Sequence, residues 1–175
     1  MDKKRLRLLR DRMETEVKDN ILAFWIRHAV DHENGGFIGA IQTPHIPRPD
    51  SPRSLVLCAR ILWTFSAAYR LLKEPACLRI AEHAYDYLTG KFKDLLHGGM
   101  FWMLDAMGNV LDSKKQVYGN AFAIYGLSEF FRATARKEAL DKAVSLFLTL
   151  DRHANDPVGK ATLKPCSRTG PLSPT

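Results

Sequence analysis

The chain has 175 residues, 46% of them apolar and 26% charged, with a formal net charge of +7. That is the composition of a globular domain with enough chain for a real core, and no apolar run is long enough to cross a bilayer without a charge. Lys160, Lys164 and Arg168 near the end bring no acid with them, so residues 1–159 carry 7 − 3 = +4, scattered among acids, which argues against a nucleic-acid partner.

Leu6, Leu9, Met13, Val17, Ile21, Phe24 and Trp25 recur at steps of three and four, which predicts one amphipathic helix ending near His28 to Val30. A loop at Asp31–Gly36 follows, then an alternating stretch from Phe37 to Ile41 that suits a short strand. Pro44, Pro47, Pro49 and Pro52 predict a stiff connector, and Ser51-Pro52 reads as an N-cap and first-position pair opening a second helix to about Leu72. Between Arg53 and Arg70 that helix carries only Arg60 as a charge, so its apolar surface calls for neighbours nearly all round. A third helix opens at Pro75 and is amphipathic. Phe101 to Leu104 and the turn at Met107-Gly108-Asn109 predict a hairpin. Tyr118 to Ala135 is again almost wholly apolar, with Glu129 its one charge before Arg132, and Glu138 to Arg152 is amphipathic.

Gly35-Gly36-Phe37 returns as Gly98-Gly99-Met100-Phe101, 63 positions on, and a damaged third copy starts at Asn155-Asp156-Pro157-Val158-Gly159. A repeat of this length means helical hairpins that cannot each bury an apolar face alone. Alternating apolar and amphipathic helices then predict an all-α, double-layered α/α barrel, of which about five helices form only part. The apolar helices should expose one flank. From Lys160 the helical pattern stops. Residues 160–175 are expected to be a tail outside the repeat, produced by a shift of reading frame or naturally disordered; a frame one base upstream permits a sequence resembling Gly36–Ile41. The basic N-terminus lacks the apolar segment of a secretory signal, and Cys58, Cys77 and Cys166 fit neither a disulfide framework nor a zinc site, so a cytoplasmic protein is expected.

Arg60 stands out chemically. A guanidinium stays charged, so an enclosed one needs a carboxylate, backbone carbonyls or a polyol ligand. Val56, Leu57, Trp63 and Thr64 share its face, and an Arg beside a Trp suits a sugar, whose ring stacks while its hydroxyls accept donors. A structural pair with Glu129 is the competing account. Tyr118, opening the second apolar helix, can meet a substrate or cap packing, and Asn120 is either its partner or an ordinary first-turn residue. His28 and His32 stand four apart but lack a third ligand, which disfavours zinc; His45, His83, His97 and His153 are expected at the surface. Asp31, Glu33 and Asn34 do not match a calcium loop, and no nucleotide fingerprint is present.

The run Ala59-Arg60-Ile61-Leu62-Trp63-Thr64-Phe65-Ser66-Ala67-Ala68-Tyr69-Arg70, with Phe24-Trp25, Asp31 to Phe37, Gly98 to Trp102 and Tyr118 to Glu129, closely resembles the N-acylglucosamine 2-epimerase family over residues 5 to about 159. Ile61 to Ser66 favours the cellobiose branch over the N-acylglucosamine branch. The resemblance implies an (α/α)6 barrel that interconverts sugars epimeric at carbon 2 without metal or other cofactor. A ring-opened aldose would lose its carbon-2 proton to a histidine, pass through an enediolate and regain a proton on the other face. It also implies that Arg60 binds sugar oxygens near the reacting carbons and that Tyr118 contacts substrate. Substrate-binding residues expected on these grounds are Arg60, Tyr118, Trp63 and Asn120, and the substrate is a cellobiose-like disaccharide or a monosaccharide. The family's paired catalytic histidines belong to later repeats, and none of the six here matches them, so this chain is expected to be an inactive fragment. A non-catalytic half-barrel that binds carbohydrate or a partner is the alternative. A glycosidase would need two carboxylates facing the cavity, and the apolar helices offer only Glu129.

Overall fold

The computed structural model describes residues 2–154. The first amphipathic run forms one continuous rod: α1 (Lys3–Thr15), capped by the Asp2 carboxylate on the Lys4 N–H, a π-helical stretch at Glu16–Leu22, and α2 (Ala23–His28). Its C-terminal part reaches the core through Leu22 and Ala29, whereas Leu6, Leu9 and Met13 of α1 stay exposed. The proline-rich segment, expected as a stiff connector, contains short strands. It folds back as a hairpin of β1 (Ala40–Gln42) and β2 (Ile46–Arg48), with Pro47 opposite Ile41 and a cis Thr43–Pro44 peptide in the turn. A two-stranded ladder has two open edges, so a proline lacking its N–H is tolerated there.

β3 (Arg53–Ser54) leads directly into α3 (Leu55–Leu72). Ser54, rather than the expected Ser51, is the N-cap: its Oγ accepts the Leu57 N–H at 3.1 Å. Arg53 and Ser54 are held extended by pairing with β4 (Met103–Leu104), which delays the helix by three residues. β5 (Val110–Asp112) completes a sheet of order β3-β4-β5. Pro75 opens α4 (Pro75–Lys91) as expected, and α5 (Val117–Thr134) and α6 (Lys137–Ala154) form the next pair.

α3 and α5 pack side by side as an inner layer, with α4 and α6 outside them. Leu55, Ala59, Leu62, Phe65, Leu127 and Phe130 are almost wholly shielded, and Tyr85 of α4 stacks on Phe130 at 4.7 Å. The inner helices approach closely because Gly126 has no side chain: a Cβ there would meet the Ala59 carbonyl oxygen at 2.7 Å. α3 is apolar enough by length and composition to pass for a membrane span, but α4 and α5 cover part of its surface. The described residues therefore form five helical rods in two layers, a part of the (α/α)6 barrel expected from the sequence. The third repeat copy and the expected tail lie outside the described residues.

Candidate functional site

The outer layer fixes which side of α3 is which. Cys58 points at α4, its Sγ lying 3.7 Å from the Ala84 carbonyl oxygen. Two residues later the helix has turned about 200°, so Arg60 faces away from the outer layer. Trp63, one turn on, shares that inner side and stacks on Tyr125 of α5, with ring centroids 5.0 Å apart and an interplanar angle of 11°. Tyr125 was not anticipated from the sequence; its stacking with Trp63 depends on how α3 and α5 cross. Tyr118 is 62% exposed at the start of α5, its ring edge against Phe122. At the N-terminal end of α3, Leu57 joins Trp25, Ile41 and His45 in walling a cavity of about 330 Å³ under the β1–β2 hairpin. Arg60, Trp63, Tyr125 and Tyr118 thus lie along one inner surface, with this cavity at its end.

Three expectations need correction here. Arg60 is exposed, and among the described residues it makes no ion pair, because no described element covers the inner side of α3. The competing Arg60–Glu129 pair does not form. Glu129 is buried and already held by Arg70 at 2.8 Å and Arg132 at 2.7 Å, which also removes it as a cavity-facing acid. Asn120, expected beside Tyr118 at a substrate, is turned into the protein. Its side chain is fully buried; Oδ1 accepts the Met100 N–H at 2.8 Å, and the amide donates to the carbonyls of Met100 at 3.2 Å and Gln116 at 2.9 Å. Asn120 instead ties the second glycine loop to α5.

Of the histidines expected at the surface, His45 and His97 are exposed, whereas His83 is not. His83 is half-buried, and its ring N–H donates to the Gly36 carbonyl at 3.0 Å. His28 ends α2 against Phe24 and His45, while His32 lies in the loop beyond, so the two do not share a helical face. Among the described residues no group of three or more His, Cys, Asp or Glu side chains is placed to hold a metal.

The two glycine loops are duplicates in atomic detail. In the first, Asp31 accepts the N–H groups of Glu33 and Asn34 and a buried bond from Arg53. In the second, Asp94 accepts those of Leu96 and His97 and the Lys115 ammonium at 2.5 Å. Bridges Val30–Phe37 and Lys93–Met100 close the loops, and Gly35, Gly36, Gly98 and Gly99 all adopt positive φ. Burial pushes the Asp94 carboxyl upward, but Lys115 and the two backbone donors outweigh it and hold the group down at about 2. Asp31 is lowered in the same way, its burial outweighed by the Asn34 and Glu33 donors and by Arg53. The glycine repeat was legible from spacing; the buried Asp–Arg and Asp–Lys pairs that brace it were not.

A family model described as N-acylglucosamine 2-epimerase (GlcNAc 2-epimerase) matches residues 35–169. The chain belongs to the N-acylglucosamine 2-epimerase family. Within that family it is 46% identical over 149 residues to cellobiose 2-epimerase of Bacteroides fragilis, covering 85% of this chain and 38% of that protein. Against cellobiose 2-epimerase of Dictyoglomus turgidum the identity is 36% over 154 residues, covering 88% and 39%. The structure of cellobiose 2-epimerase from Bacillus thermoamylovorans superimposes with a TM-score of 0.89 at 35% identity, covering 93% of this chain and 42% of that one. The chain thus spans about two fifths of the length of the curated relatives it matches.

Proposed function

We propose that the chain is the N-terminal part of a sugar 2-epimerase of the cellobiose 2-epimerase type, with its inner surface holding the reducing-end sugar. One observation carries this reading: a cation without a partner among the described residues, Arg60, beside the flat Trp63–Tyr125 stack on the side of α3 turned away from the outer layer. The stack supplies an apolar platform for a sugar ring, and the guanidinium supplies donors for its oxygens. On the enediolate, Arg60 stabilises the charge that develops on the oxygens at carbons 1 and 2. The cavity beside Leu57 gives a second sugar unit a place one helical turn away. In this reading the proton transfers need a histidine pair that these repeats do not supply, so the chain alone leaves carbon 2 untouched.

The test is cellobiose in heavy water. The isolated chain is expected to incorporate no deuterium at carbon 2; incorporation refutes the inactivity, and release of glucose refutes the epimerase reading altogether. A chimera carrying residues 5–150 in place of the matching part of the Bacteroides fragilis relative is expected to epimerise cellobiose, and Arg60→Ala in it to lose roughly 10²-fold or more. A second reading, a half-barrel that binds a partner chain, is favoured by apolar residues at its open flanks, such as Met13, 61% exposed, and Leu71, 72% exposed.

A further inference from the structure

We propose that the cleft between α4 and α6, on the outer side of the molecule, binds a single pyranose ring. The duplication is the starting point. α4 and α6 correspond with an offset of 62, so His83 and Tyr87 of the first repeat become Ser145 and Thr149 of the second. In the first repeat those two rings plug the glycine loop. A Cβ on Gly36 would lie 2.6 Å from the Tyr87 ring, the His83 N–H bonds the Gly36 carbonyl, and the His83 ring meets Phe37 edge-on at 5.2 Å.

In the second repeat the loop has the same backbone but no aromatic plug: a Cβ on Gly99 would meet the Lys115 Cδ at 2.9 Å, and Gly98 faces only the Thr149 side chain, at 3.6 Å. Where Tyr87 and His83 stood there is a half-open cleft of about 350 Å³. Met100 and Leu146, both buried, form its floor, and Lys93, Asp141, Ser145 and Thr149 stand around it. The Gly99 carbonyl takes the Asp94 N–H at 3.0 Å, as Gly36 takes that of Asp31. Among the described residues it has no counterpart to the His83 donor. Lys93 and Asp141 likewise have no ion-pair partner among the described residues, whereas Glu138 nearby is paired with Arg136.

The ligand's chemistry follows from what the lining lacks. The floor asks for an apolar face, the Gly99 carbonyl and the Asp141 carboxylate ask for donors, and the Lys93 ammonium asks for an acceptor. The lining carries two charges of each sign, Lys93 and Lys142 against Glu138 and Asp141, a balance that disfavours a simple ion. A pyranose presents a C–H face and hydroxyls that both donate and accept, and the volume sits at the lower end of the ~300–1,000 Å³ usual for ligand pockets, room for one ring rather than two. The cleft lies between outer helices and shares no side chain with the Arg60 surface, so it does not rest on the epimerase reading.

The experiment is a titration of the isotope-labelled 175-residue chain with methyl β-glucopyranoside, a locked acetal that cannot ring-open, followed by amide NMR. Saturable shifts at Gly98, Gly99, Ser145 and Thr149 are expected. They should persist in Arg60→Ala, weaken about tenfold in Asp141→Asn through loss of a charged acceptor, and vanish in Ser145→His/Thr149→Tyr, which restores the plug. The proposal falls if these amides do not move at ~100 mM glycoside, far above a millimolar affinity, or if shifts are confined to the surface around Trp63. It also falls if the folded double variant binds unchanged, or if 4-methylimidazole binds the cleft and the glycoside does not. Should the double variant fail to fold, Asp141→Asn decides: undiminished binding overturns the site.

Discussion

Asp94 and Lys115 form a pair with side chains only 7% and 6% exposed, so neither charge is screened by water. Removing one partner strands the other, and Asp94→Asn is expected to lower stability at neutral pH by about 3 kcal/mol, within the usual cost of breaking a buried pair. The sign of the pH dependence follows from the depressed carboxyl. Its value of about 2 in the folded chain lies below the ordinary 3.8, so its stabilisation is complete above about pH 4 and is lost as pH falls toward 2. That contribution amounts to roughly 2 kcal/mol. Urea midpoints measured from pH 7 to 2 should fall steeply below pH 4 in the parent and less steeply in Asp94→Asn; equal slopes refute the assignment. Gly36→Ala tests the first loop. Its φ of +69° strains any side chain, and the new Cβ would meet Tyr87 at 2.6 Å, so a loss of at least ~1–3 kcal/mol in chemical denaturation is expected. Gly90, with nothing near its absent Cβ and no positive φ, is the control, where alanine should stabilise α4 by up to ~1 kcal/mol.

At the scale of helices, the α3–α5 contact sets the inner surface. Gly126→Ala pits two effects against each other. Helix propensity favours alanine by about 1 kcal/mol, but a Cβ 2.7 Å from the Ala59 carbonyl must push two rigid helices apart, at about 1–3 kcal/mol. The clash meets backbone that cannot swing away, so net destabilisation is expected, together with loosening of the Trp63–Tyr125 stack. Near-ultraviolet circular dichroism reads the stack, and a stabilised variant with an unchanged aromatic signal contradicts this account. The start of α3 gives a milder test: Ser54→Ala removes the oxygen that takes the Leu57 N–H and should cost about 1 kcal/mol, while Ser51→Ala, outside the helix, should cost far less.

For the molecule as a whole, the open flanks dominate. One side presents Leu9, Met13 and Leu71, the other Val144, Phe147 and Leu148, each at least 48% exposed. In a closed ring of repeats such faces meet further hairpins; among the described residues they are exposed, and water drives such apolar faces together. Concentration-dependent self-association is expected in sedimentation velocity, and Leu71→Lys with Phe147→Lys should reduce it without lowering helix content. A parent chain that sediments as one monomeric species at all concentrations contradicts this.

The sequence by itself determined the period of the repeat, the inner or outer character of each helix and the family. The first two follow from apolar spacing and from glycines that the backbone geometry demands, both local properties; the family follows from the residue runs around Arg60 and Tyr118 that resemble it. The fates of individual polar residues were decided only by the tertiary structure. Asn120 turned inward to serve a loop twenty residues away, Glu129 went to Arg70 across the α3–α5 contact, and Arg60 stayed open on the inner side. A polar side chain takes whichever partner the packing brings within reach, and spacing along the chain carries no record of which helix will lie opposite.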